Sequence, residues 1–146
     1  MAAWPVYADS LGYEEFISRL RKTVIELSNI GIDVILIGPP ILYRDPLPKI
    51  LSRFALTGLE PFHSSQFVDR HSFEIDARMN ADFSNMSRVH YLSVLRSVCE
   101  DRSCPAFIDG VPMQFDQLHL TAPGSELVAR KLFPAIAAVL HTTPQD

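Results

Sequence analysis

Gly31-Ile32-Asp33-Val34-Ile35-Leu36-Ile37-Gly38-Pro39-Pro40 is the stretch on which the fold turns. Val34 to Ile37 is a continuous aliphatic, mostly β-branched run closed by a glycine and two prolines. That pattern reads as a short strand buried on both faces, the kind found inside a parallel sheet. Upstream, Phe16, Ile17, Leu20, Val24, Leu27 and Ile30 recur at helical spacing across residues 10 to 30, with charged residues between them. Asp9 or Ser10 can cap this helix, and Gly31 stops it. Helix, tight turn and buried strand make half of a βαβ unit, so the fold class is α/β with a mostly parallel sheet. The strand that should precede the helix has only residues 1 to 7 available, and Pro5 interrupts it. The first strand is therefore expected to be missing.

The rest of the chain extends the same pattern. Leu47, Ile50, Leu51 and Phe54 mark a helix closed by Gly58, and Phe67, Val68, Ile75 and Met79 suggest another over residues 66 to 83. Val89 to Leu92 is the expected second parallel strand. Ala106 to Phe115, with Asp109-Gly110 at its centre, reads as a hairpin on a type I′ turn, with Pro112 at an edge or facing outward. Thr121 can cap a last helix with Pro123 in its first turn and Leu127, Val128, Leu132, Ile136 and Val139 as its buried stripe. Pro134 should kink or restart that helix.

Composition bounds the function. The chain has 146 residues, 47% hydrophobic and 21% charged, with a formal charge of -4. This is room for one globular domain or part of one. The negative balance argues against a nucleic-acid partner, which needs a basic face. No apolar run approaches the roughly 18 residues of a transmembrane segment, and no signal peptide is visible.

The stretch Phe115-Asp116-Gln117-Leu118-His119-Leu120-Thr121 carries the most pointed chemistry. An aspartate three residues before a histidine can accept from one ring nitrogen, fix the tautomer and leave the other nitrogen as a general base. The base would take a proton from a serine, an alcohol or water. Ser10, in Asp9-Ser10, reads first as a helix cap and second as a displaced nucleophile at a helix N-terminus. Cys99 and Cys104 are either a disulfide or free thiols, and two cysteines alone do not build a zinc site. His63, His71, His90 and His141 share no ligand spacing, so no metal or cofactor is implied. Arg44, Arg53, Arg70, Arg78 and Arg88 read as a solvated face, one of which could meet an anionic sugar. Trp4, at the carboxyl end of an incomplete strand, is a core residue or a sugar-packing one.

Asp116-x-x-His119 before a final helix resembles the last conserved block of the SGNH (GDSL-like) hydrolase family. The finer resemblance is to the SGNH domain behind the acyltransferase-3 membrane domain of bacterial surface-polysaccharide O-acyltransferases. Cys99, Cys104, Phe115, Asp116, His119, Leu120, Thr121 and Gly124 match that pattern. Ala2-Ala3-Trp4 is similar to its Ala-x-Trp strand, and Val34 to Pro40 to its Val-x-Leu-x-Gly-Pro strand. The resemblance implies a three-layer, flavodoxin-like SGNH fold, lacking its first strand, with residues 1–146 as the carboxy-terminal portion of one domain. It implies that His119 is the base, Asp116 its orienter, and Cys99–Cys104 a disulfide. It also implies an acyl, usually acetyl, group moved onto a cell-surface glycan through a serine ester. The acyl donor would be delivered by a membrane domain, on the periplasmic side of the bacterial inner membrane. The family's Gly-Asp-Ser is absent from this sequence, and its Gly-x-Asn block is unmatched near Ala2-Ala3-Trp4, so Met1 is expected to be an internal start or to open a truncated gene, and the chain alone to be inactive. The alternatives are a non-catalytic glycan-binding module on the same scaffold and an esterase that removes acyl groups.

Overall fold

The computed structural model describes residues 12–57 and 63–142. Helix α1 spans Tyr13–Asn29, and strand β1 spans Val34–Ile37. Helix α2 (Leu47–Thr57), a 3₁₀ turn (Ser64–Gln66) and helix α3 (Arg70–Phe83) lead to strand β2 (Val89–Leu92). Then come the short helix α4 (Val94–Val98), strands β3 (Phe107–Ile108) and β4 (Val111–Pro112), and helix α5 (Ala122–Thr142). β1 and β2 pair in parallel, Val34 opposite Val89 through Ile37 opposite Leu92. The parallel α/β reading of the sequence therefore holds among the described residues.

Two apolar cores flank this pair. Ile17 and Val24 of α1, Leu36, Val89, and Met79 and Phe83 of α3 form one. Ile41, Tyr43, Leu47, Ile50, Val68, Leu95 and Met113 form the other, beneath the loops that follow β1. Burying such side chains contributes roughly 1.5–3 kcal/mol each.

Several expectations need correction. α1 begins after Gly12, which takes φ 71° and offers no side-chain cap; Asp9 and Ser10 lie outside the described residues, as does Gly58. Ile30, expected in the buried stripe, is 73% exposed because the helix has already ended and Gly31 turns the chain at φ 87°. The helix expected from residue 66 starts only at Arg70. Phe67 and Val68 are taken by backbone pairing instead: Val68 bridges Tyr43, and Arg44 N–H donates to the Phe67 carbonyl at 3.0 Å. Asp69 then caps α3 by accepting from the His71 amide. β1 is not buried on both faces throughout, since Ile37 stays 43% exposed among the described residues.

The hairpin turns on Asp109 (φ 51°) and Gly110 (φ 79°), both left-handed as a type I′ turn requires. It is a two-stranded sheet of its own, so Pro112 sits on an edge. Beyond Pro112 the chain leaves the ladder, with Met113 N–H still donating to the Ala106 carbonyl. Pro134 does not restart α5, which runs through it as one helix. Pro134 and Arg130, whose carbonyl loses its usual donor, both lie on the exposed face of the helix. The expected first strand, over residues 1 to 7, lies outside the described residues.

Candidate active site

The loop between β4 and α5 is held from both sides. Gln114, fully buried, donates from Nε2 to the Ile41 carbonyl at 2.8 Å and to the Leu118 carbonyl at 3.1 Å. The segment after β1 clasps the same loop: Tyr43 N–H donates to the Gln117 carbonyl, and Leu47 N–H to the Asp116 carbonyl. Phe115 N–H donates to the His119 carbonyl and closes the loop on itself. At its far end Thr121 Oγ1 donates to the Pro112 carbonyl and accepts from Gly124 N–H at the start of α5. Gly124 is fixed there because a Cβ would strike the Met113 carbonyl. The segment that clasps the loop leaves the carboxyl end of β1, the end at which parallel α/β sheets place their sites.

Asp116 and His119 lie together in this loop. Asp116 Oδ1 accepts from the Leu118 and His119 amides at 2.9 and 2.7 Å, and Oδ2 lies 2.5 Å from His119 Nδ1. Burial raises the Asp116 carboxyl, but the His119 and Leu118 amides and the imidazole outweigh it and bring the pKa to about 2. Asp116 is thus a carboxylate that can only accept, so Nδ1 carries the proton facing it. In the neutral ring the lone pair then resides on Nε2, which has no hydrogen-bond partner among the described residues. The His119 side chain is 55% exposed, and its ring lies nearly parallel to Phe115 at 5.6 Å. The arrangement can accept a proton from an incoming hydroxyl and stabilise the resulting imidazolium.

Cys99 and Cys104 are joined as a disulfide. Trp4 and Ser10 lie outside the described residues. The remaining histidines do not converge: His71 pairs with Glu74 and His90 with Asp33. Among the described residues no group of three or more His, Cys, Asp or Glu side chains could hold a metal ion.

Sequence reasoning missed a second polar node. Asp76 of α3 is buried, and it accepts from the Tyr91 and Ser93 hydroxyls at 2.8 Å each, with Arg96 Nε at 3.6 Å. Burial first, then the bond to Asp76, pushes the Tyr91 hydroxyl well above its ordinary pKa. The available signal was Asp76 itself, an acid within the apolar Phe73, Met79, Phe83 face of α3.

A parallel strand pair flanked by helices, with the Asp116–His119 loop clasped by the segment after β1, is an α/β domain. The family model of the SGNH domain fused to AT3 domains matches residues 1–134, and the chain belongs to that family. Among solved structures, the periplasmic domain of a lipopolysaccharide acetyltransferase from Salmonella ser. Paratyphi A has the same fold. It matches with a TM-score of 0.69 at 22% identity, covering 90% of this chain and 51% of that one. The chain thus spans about half the length of that structure. No curated protein matches the chain. Among the described residues, no helix is long and apolar enough to cross a membrane.

Proposed function

We propose that this chain supplies the base-and-orienter end of an SGNH O-acyltransferase acting on a cell-surface glycan. His119 Nε2 takes the proton of the acceptor sugar hydroxyl as that hydroxyl attacks a serine-bound acyl group, acetyl by analogy with the family. Asp116 holds the imidazole in the required tautomer and stabilises the imidazolium. The proton returns to the serine oxygen when it departs. The observation that carries this reading is the 2.5 Å Asp116–His119 contact on an exposed ring whose Nε2 has no hydrogen-bond partner among the described residues, in a family fused to AT3 domains.

The sequence contains no Gly-Asp-Ser, and on this reading the acyl-bearing serine is supplied from elsewhere in a longer frame. Ser10 is the internal substitute to be eliminated. The acyl donor would be presented by the membrane domain, with the chemistry on the periplasmic side of the bacterial inner membrane.

The test begins with the DNA upstream of the Met1 codon, read for an in-frame Gly-Asp-Ser. The longer frame is then expressed and acetyl transfer to glycan measured with and without His119→Ala. We expect transfer to fall about 10²–10⁴-fold, the usual contribution of a general base. Transfer indifferent to His119 would overturn the reading. With p-nitrophenyl acetate, the 146-residue chain should show no turnover that depends on Ser10. If acyl release to water matches transfer to sugar in the longer frame, the enzyme is an esterase.

A further inference from the structure

Among the described residues, seven of the ten arginines sit within ion-pair distance of a carboxylate. The three that do not are Arg44, Arg70 and Arg102. This is not for want of carboxylates, since Asp and Glu number 17 against 13 Lys and Arg. The unpaired guanidinium groups are also not scattered. Arg44 lines a cleft of about 450 Å³ with Arg53, Phe54 and Phe67. Arg70 and Arg102 line a neighbouring one of about 250 Å³ with Phe73. Gln66 lines both, so the two clefts adjoin across one side chain.

The carboxylates in these walls do not cancel the charge. Asp45 is held by Lys49 at 2.7 Å and Arg53 at 3.4 Å, leaving Arg44 unmatched. Asp101 is the single acid among the described residues of the second cleft, against two arginines. Arg102 is presented by a fixed turn: Asp101 and Arg102 are both left-handed, φ 44° and 64°. Reciprocal Glu100–Ser103 backbone bonds and the Cys99–Cys104 disulfide clamp that turn. The first cleft also starts at the active-site loop, because the Arg44 carbonyl accepts from Gln117 Nε2 at 3.2 Å, two residues from His119.

We propose that this double cleft docks the acceptor as an anionic glycan. Arg44, Arg70 and Arg102 take its carboxylate or phosphate groups through their planar forks, and Phe67 and Phe73 pack against its sugar faces. The proposal rests on the reading that the acceptor is a glycan whose hydroxyl reaches His119, and it adds the charge that glycan must carry.

The test is binding, not turnover. Tetragalacturonate, phosphorylated mannotetraose and neutral mannotetraose are titrated calorimetrically into the 146-residue chain. At least one anionic tetrasaccharide should bind ten or more times tighter than the neutral one, and added salt should erode the difference. Which anionic probe binds better separates carboxylate from phosphate recognition. The Arg44→Gln, Arg70→Gln double variant, both exposed sites, should lose at least tenfold, while Arg130→Gln on α5 should lose nothing. Thermal melting checks that the double variant stays folded, and Arg102→Gln alone provides an independent loss if it does not.

Equal binding of the neutral sugar, no binding of either anion, or equal loss in Arg130→Gln would overturn the proposal. Anion binding in an enzyme whose transfer ignores His119 would sink the catalytic reading and leave the groove. His119-dependent transfer without anion binding would do the reverse.

Discussion

Asp76 and Asp116 are both carboxylates fixed by several donors near the carboxyl ends of the parallel strands, and they end in opposite chemistry. Asp76 has 4% of its side chain exposed, and its partners are two hydroxyls and a guanidinium. Both carboxylate oxygens there are taken by hydroxyls of β2 and the residue after it, and the node locks α3 to the end of β2. Asp116 is 38% exposed and spends one oxygen on backbone amides and the other on an imidazole. Its network passes its effect outward, to a ring nitrogen open to substrate. The difference teaches that a well-satisfied aspartate is not in itself a catalytic sign. What matters is whether its last partner has a second, unspent group facing solvent.

The comparison breaks most visibly at Asp76. Asp76→Ala should cost about 3 kcal/mol in urea unfolding, because it leaves the buried Ser93 hydroxyl and the half-buried Tyr91 hydroxyl without their acceptor. The Asp116–His119 pair should keep its geometry in whatever remains folded. A loss under ~0.5 kcal/mol would make the node ornamental. Replacing Cys99 and Cys104 by serine should cost about 2 kcal/mol, the chain-entropy value for so short a loop. That change should leave the Asp76 node untouched but loosen Arg102. Gly38→Ala should cost roughly 1–3 kcal/mol, since a Cβ there meets the Tyr91 hydroxyl and the Asp76 carboxylate.

At the other end of the scale, His119→Ala should stay within ~0.5 kcal/mol of the parent in stability at neutral pH, and Asp116→Asn should cost less than Asp76→Ala because solvent screens its site. Their signature is pH. A carboxyl whose folded pKa is depressed contributes stability above its unfolded value, and that contribution is lost as pH falls towards the folded one. With Asp116 at about 2, any advantage of the parent over Asp116→Asn should be full above about pH 4. It should shrink as the pH drops to about 2. An advantage that grows on acidification would contradict the assignment.

Much of this was legible in the residues. Val34 to Ile37 declared itself as a buried strand by its apolar run, Val89 to Leu92 fell where a second parallel strand was expected, and Asp109-Gly110 declared its turn because few residue pairs accept two left-handed conformations. The Asp116-x-x-His119 spacing was readable because it is local. What failed was non-local. Phe67 and Val68 carry a helical pattern but are captured by backbone bonds to Arg44 and Tyr43, more than twenty residues away. Asp76 finds Tyr91 and Ser93 only once α3 lies across β2. Arg44, Arg53, Arg70, Arg78 and Arg88 read as one solvated face, whereas among the described residues Arg53, Arg78 and Arg88 are ion-paired and Arg44 and Arg70 line adjoining clefts.

The central claim is that Asp116 fixes His119 with its proton on Nδ1 and its lone pair on Nε2. Long-range ¹H–¹⁵N correlation spectra of the ring, recorded above its titration, read this directly. The account expects the Nδ1–H tautomer to dominate in the parent and to lose that dominance in Asp116→Asn. A ring found mainly as the Nε2–H tautomer, or one whose tautomer is the same with and without the Asp116 carboxylate, would contradict it.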